Sequence, residues 1–349
     1  FNQPLNWVTL QVTTMGHMLW NARAFNQPLA FDTAQVTTMY GMFQGATAFN
    51  QSLTSFDTAQ VTNMMSMFLG ATAFNQPLTF DTAQVTTMRG MFADATAFNQ
   101  PLTFDTAQVT NMRYMFYHAD AFNQPLTFDT SSVTTMEGMF ADASSFNQTL
   151  TFDTAKVTTM SWMFAAARAF NQPLTFNTAQ VTDMSFMFEN ALAFNSDISG
   201  WVVSRVTDMR GMFKNAASFN QYIGEWQTHQ VTTMNAMLSG ASAFSHDLSS
   251  MSTLNVYDFQ DMRVGALAFH ENFLCPDETS GSLSSCVCRS SHCLSDETFS
   301  EALEECLKES TVDGLCTEYG LVKTKYGVMS DWDVSNVTNM GSIIQSDLL

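Results

Sequence analysis

Residues 74–97 read FNQPLTFDTAQVTTMRGMFADATA, and residues 98–121 say nearly the same thing again. Copies begin at Phe1, Phe25, Phe49, Phe74, Phe98, Phe122, Phe146, Phe170, Phe194, Phe219 and Phe244, at spacings of 24 or 25 residues. A twelfth copy starts at Phe269 and is interrupted, and a last one is recognisable in Met329–Met340, MSDWDVSNVTNM. A repeat of this length cannot bury its apolar face alone. Stacked neighbours bury a continuous core together, so the chain folds as an array rather than as a conventional globule.

Within residues 74–97, Leu78 and Phe80 alternate with Thr79, the period of a short strand. Asp81 and Thr82 then turn the chain. Val85, Met88, Met91, Phe92 and Ala95 follow at steps of three and four, the spacing of one helical face, with Thr86 or Thr87 as its N-cap. This predicts an α/β repeat solenoid, with one short parallel strand and one short helix per rung of 24–25 residues. Asn recurs after the opening Phe in ten of eleven copies, with Ser245 in the other, which predicts an inward ladder of hydrogen-bonding side chains. The 25 methionines fall mostly on two columns, typified by Met88 and Met91, and read as core filler rather than as a thioether metal array.

The pattern F-N-Q-x-L/I-x-x-W/F-D-T-x-x-V-T-x-M-x-x-M-F resembles the 25-residue repeat of BspA-like leucine-rich-repeat surface proteins. Gly200-Trp201, Glu225-Trp226 and Trp332-Asp333-Val334-Ser335-Asn336-Val337-Thr338-Asn339-Met340 are closest to that wording. The resemblance covers nearly all of the chain except roughly Leu274–Thr324. It implies an extracellular or cell-surface protein of adhesion or architecture, with a leucine-rich-repeat-like solenoid, and it carries over no catalytic residues. Many copies here are one residue short of the family's length, which predicts a tighter turn before Phe80 and its equivalents.

The array spans residues 1–273, interrupted by a segment at 274–324 and closed by a final repeat at 325–349. All six cysteines lie in the interruption: Cys275, Cys286, Cys288, Cys293, Cys306 and Cys316. An even number in one short segment reads as a small disulfide-rich insertion formed in an oxidising compartment, and the spacing leaves the pairing open. Ser295–Glu309 reads as its one amphipathic helix. Of three Asn-x-Ser/Thr sequons, Asn50 and Asn147 are members of the Asn ladder, and Asn336 is the glycosylation candidate.

The net charge of −19 argues against nucleic acid and anionic membrane as partners. No run of 18 apolar residues is present, so membrane insertion is not expected. Asp32, Asp57, Asp81, Asp105, Asp129 and Asp153 share one place in successive copies. They read either as a calcium-binding edge or as a solvated row of turn-capping carboxylates. Asn177 continues the row without charge, which favours capping, so no cofactor is expected.

Met340 is followed by nine residues, as Met64 is before Phe74, so Leu349 is in phase with Phe1 of another copy. With no polar cap at either end, Phe1, Asn2 and Leu5 are expected to meet Ile343, Ile344 and Leu349 head to tail. The six histidines are scattered and no phosphate loop or metal cluster appears, so no enzyme is expected. The expectation is a non-catalytic extracellular structural protein, a homopolymer forming a filament or surface sheath. The alternative is a cell-surface adhesin that binds a host protein or glycan through one face of the array, and aromatics exposed in one column would favour it.

Overall fold

The structure is a computed structural model that describes residues 1–270, together with the backbone of residues 271–274, 287–288, 293–295 and 333–336. Consecutive copies stack in parallel. One residue per copy forms a single parallel bridge to each neighbour, in the series Thr14, Thr38, Asn63, Thr87, Asn111, Thr135, Thr159, Asp183, Asp208, Thr233 and Asp258. The interior copies send the same eight side chains inward. In the copy beginning at Phe98 these are Phe98, Leu102, Phe104, Val109, Met112, Met115, Phe116 and Ala119, all buried. Both Met columns thus lie in the core, where the flexible thioether fills the space between rings.

Aromatic stacking runs along the axis in register. The opening Phe of each copy stacks on the next, as Phe98 does on Phe122 at 6.1 Å. The Phe after the second Met does the same, as Phe92 does on Phe116 at 5.6 Å. The two ladders interlock where Phe116 meets Phe122 at 4.1 Å. Offset-stacked pairs at these separations each add to the burial of their rings.

The expected α/β rung, a strand and a helix per copy, does not form. Among the described residues the helix is α1, Leu267–Asn272, and the strands are β1 (Phe273–Leu274), β2 (Val287–Cys288), β3 (Cys293–Ser295) and β4 (Asp333–Asn336). β1 pairs antiparallel with β2, and β3 pairs in parallel with β4. Within the repeats the backbone is a chain of turns, and the cause is left-handed backbone at two positions in every copy. In residues 74–97 these are Gly90 (φ 58°) and Asp94 (φ 55°). Each interrupts the run of right-handed residues that a helix requires.

The backbone hydrogen bonds follow from that alternation. Met91, Ala93 and Ala95 donate three residues back, to Met88, Gly90 and Phe92. Between them Gly90, Phe92 and Asp94 turn outward and donate to the carbonyls of Arg113, Met115 and Tyr117 in the next copy, at 2.7–2.9 Å. The apolar spacing of three and four is satisfied equally well by this chain of turns. Half of the N–H groups a helix would keep to itself are spent on joining copies.

The predicted strand at Leu78–Phe80 is likewise absent, although its in-out alternation is present: Leu78 and Phe80 are buried and Thr79 is exposed. Pro77, Pro101 and Pro125 lack the N–H that a ladder needs, but copies with Ser52, Thr149 or Asp197 at this place form no strand either. Side chains join the copies here instead. The Asn75 side-chain carbonyl accepts the backbone N–H of Asn99 at 3.0 Å and the Gln100 amide at 3.0 Å, and the pattern runs from Asn2 to Ser245. The Asn ladder therefore forms, half-buried rather than inward. The Thr82 hydroxyl, buried, donates to the Asp105 carbonyl at 2.8 Å, again repeating along the axis.

The difference in repeat length resolves in the opposite sense to that expected. The 25-residue copies carry the extra turn, with Phe56, Trp201, Trp226 and Met251 donating to Leu53, Ile198, Ile223 and Leu248. The shorter copies run straight through the same place.

Candidate functional site

The two left-handed positions and the residues beside them form one face of the stack, and this face carries the residues that differ most between copies. The first left-handed position holds His17, Gly41, Ser66, Gly90, Tyr114, Gly138, Trp162, Phe186 and Gly211 in turn. The core columns barely change over the same copies. A side chain at a left-handed residue here leans across the next copy, and the small residue there receives it. A Cβ on Gly138 would lie 2.2 Å from the Tyr114 ring, one on Gly211 2.4 Å from Phe186, and one on Gly41 2.6 Å from His17. At the second position Asn21 lies over Gly45 and Asn215 over Gly240 in the same way. Trp162 has no glycine after it and stacks instead on Phe186, at 4.3 Å.

The result is a groove of about 690 Å³ running along the stack from Tyr40 to Asn190, lined by seven successive copies. Its walls carry Tyr40, Tyr114, Tyr117 and Trp162, and its floor is made of small residues such as Gly90, Ala93, Ala141 and Ala165. The Tyr114 hydroxyl donates to Glu137 Oε1 at 2.5 Å, and Arg113 Nη2 holds the same oxygen at 2.6 Å. Burial raises the Tyr114 phenol above its ordinary pKa, and Glu137 adds to the rise. Burial likewise raises Tyr117, with Asp142 and Asp94 contributing. At the rim His118 Nδ1 lies 2.9 Å from Asp94, with Asp120 on its other side at 3.7 Å. The hydrogen bond to Asp94 holds the imidazole above its usual pKa, against the opposing effect of burial. At the far end Lys214 Nζ is 2.9 Å from Glu189.

None of these groove residues was singled out from the sequence. The signal was present: the copies vary at these columns, and bulky residues are followed one copy later by glycine.

The residues that were singled out lie elsewhere. Asp32, Asp57, Asp81, Asp105, Asp129 and Asp153 stand exposed on another side, and each carboxylate accepts the backbone N–H two residues on, at 2.9–3.1 Å. Asn177 does the same for Ala179. For Asp129 the bond from the Ser131 backbone, with its hydroxyl, lowers the carboxyl pKa. The row thus behaves as turn caps. Among the described residues no group of three or more His, Cys, Asp or Glu is placed to hold a metal ion.

Phe1 is exposed, Leu5 is buried, and Asn2 starts the Asn ladder. Ile343, Ile344 and Leu349 lie outside the described residues, as do Cys275, Cys286, Cys306 and Cys316. Cys288, Cys293 and Asn336 are described only as backbone, in β2, β3 and β4. The predicted helix at Ser295–Glu309 also falls outside. No helix among the described residues is long and apolar enough to cross a membrane.

Five overlapping stretches, residues 1–103, 66–150, 102–175, 126–206 and 174–276, match one family model, and together they follow the stacked copies. Neither the curated proteins nor the solved structures contain a match to the chain. Matched five times over along its repeats, the chain belongs to the repeat family described as "Mycoplasma protein of unknown function, DUF285".

Proposed function

We propose that the chain is a non-catalytic binding protein displayed outside the cell, and that it takes its ligand in the groove between Tyr40 and Asn190. One observation carries the reading: the columns that vary between otherwise uniform copies converge on a single aromatic-lined groove. An array that served only as a spacer would have no use for Tyr114, Tyr117 and Trp162 on an exposed face. The groove has the size and the mixture of apolar walls and few polar groups that suit a ligand. Glu137 and Glu189 are engaged by Arg113 and Lys214, an arrangement that favours fixed recognition over proton transfer. The resemblance to BspA-like repeats and the six clustered cysteines both support an extracellular setting.

The end-to-end filament draws no support from the first copy. Phe1 and Trp7 are 69% and 56% exposed and stack on Phe25 and Phe31 from one side only. Any interior copy would look the same with its neighbour removed.

Beads coated with the full chain and applied to fixed epithelial monolayers test the binding reading. Tyr40→Ala with Trp162→Ala should lower retention at least ~10-fold, the effect of losing central aromatic anchors. Thr103→Arg with Gln108→Arg, at exposed positions off the groove, should leave retention unchanged. No retention of the parent chain, or equal loss in both variants, would overturn the reading.

A further inference from the structure

We infer that the ligand of this groove is a neutral, hydroxyl-rich carbohydrate chain laid along the stacking direction, with sugar rings against Tyr114 and Trp162. The inference rests on the preceding reading of the groove as a binding site, and three independent features carry it.

The first is the state of the aromatic rings. Tyr114 lies over Gly138 with its hydroxyl tied to Glu137, and Trp162 is held against Phe186, yet Trp162 remains 38% exposed. These are platforms set before any ligand arrives, so little side-chain freedom is lost on binding. The face of an aromatic ring carries partial negative charge, and the C–H bonds on one side of a sugar ring carry the opposite sign.

The second feature is charge. The chain as a whole is −19, but on this face most carboxylates have a base beside them. Arg113 neutralises Glu137, Lys214 neutralises Glu189, and His118 sits on Asp94. Arg89 and Asp142, both in the lining, are opposite in sign, and Asp120 at the rim adds one carboxylate beside His118. A groove built for a basic peptide would keep its carboxylates unpaired, and one built for a sulfated or nucleic-acid chain would carry a surplus of cations. What is left is a set of hydrogen-bonding groups suited to hydroxyls: the carboxylate of Asp142, the amide of Asn190 and the guanidinium of Arg89.

The third feature is length and periodicity. The lining comes from seven copies in line, above a floor of glycine and alanine. Copies joined by backbone hydrogen bonds advance by about 4.8 Å, which is close to the advance of one sugar ring in an extended polysaccharide. A long ligand of repeating units can therefore stay in step with a receptor of repeating units.

Isothermal titration of the full chain with cellohexaose, maltohexaose and the hexamer of N-acetylglucosamine tests the inference. A heparin hexasaccharide and a lysine-rich peptide serve as charged alternatives. At least one neutral hexamer should bind, with affinity little changed between ~50 and ~200 mM salt, because no counterions are released. Trp162→Ala should weaken it about tenfold, and Trp162→Phe should retain most of the affinity. Binding only of the charged probes, with steep salt dependence, would overturn the inference. So would silence from every neutral glycan while the coated beads still adhere. In that case the groove remains a binding site for another ligand class, whereas beads that never adhere would remove the binding reading itself.

Discussion

Gly138 and Gly90 occupy the same place in two copies and share the same backbone, φ 58°, but differ in what lies above them. A Cβ on Gly90 would meet only Ser66 Oγ at 3.5 Å and Ala93 Cβ at 3.8 Å, both ordinary contacts. A Cβ on Gly138 would fall 2.2 and 2.3 Å from Cε1 and Cδ1 of Tyr114. Gly90→Ala should therefore cost only the left-handed strain, about 1–2 kcal/mol. The chain itself tolerates that strain at Ala236, φ 51°. Gly138→Ala carries the same strain and also expels the Tyr114 ring, which breaks its hydrogen bond to Glu137. A bond to a charged group contributes about 1.5–3 kcal/mol, with the lower end fitting a half-buried site. The expected loss is thus about 2.5–4 kcal/mol for Gly138→Ala, against about 1–2 kcal/mol for Gly90→Ala. Urea unfolding followed by circular dichroism reads the difference as a shift of midpoint at constant slope. In a Tyr114→Ala background the two substitutions should become equivalent. Equal midpoints for the two single variants would refute the placement of the ring on Gly138, and with it the fixed platform in the groove.

Two further outcomes are expected. Asn99→Ala leaves the Asn123 N–H and the Gln124 amide without their acceptor, and should cost about 1–3 kcal/mol and speed amide exchange at Asn123, read by hydrogen exchange. His118 should titrate above its ordinary value of about 6.5, and Asp94→Asn should bring it back, both readable by NMR. Because the folded pKa is the raised one, the stabilisation from this pair is full below the unfolded value and is lost as pH climbs through the folded one. With the imidazole side chain 48% exposed, its screened contribution stays within a few tenths of a kcal/mol.

The period, the core columns and the role of the acidic row were legible in the sequence because each follows from side-chain chemistry alone. Phe98, Val109 and Met112 are apolar and recur, so they are buried. Asp81 can cap its own turn wherever it is placed. The path of the backbone was not legible from apolar spacing, because Val85, Met88, Met91 and Ala95 face inward equally on a helix and on a chain of turns. The deciding residues were the ones between them. Gly41, Gly90, Gly138 and Gly211 at one position, and Gly45, Gly70, Asp94, Asn190 and Asn215 at the other, are residue types that accept left-handed backbone. Tyr114, Trp162 and Phe186 hold the same position in other copies and mask the pattern, since bulky residues rarely adopt that backbone. The groove stayed hidden for the same reason: its residues look like noise until the turns place them side by side.

The lean of each large side chain over the following copy also gives the array a grammar. Tyr114 has a glycine as its successor, and Asn21 and Asn215 do too. Copies that look interchangeable are therefore ordered, like overlapping tiles that can be laid in one direction only. Duplicating or deleting a single copy would bring together side chains never fitted to each other, while moving a pair such as the copies carrying Tyr114 and Gly138 would keep its internal fit. The heritable unit of change on this face is then the adjacent pair of repeats, and new surfaces would arise by shuffling couplets rather than single words.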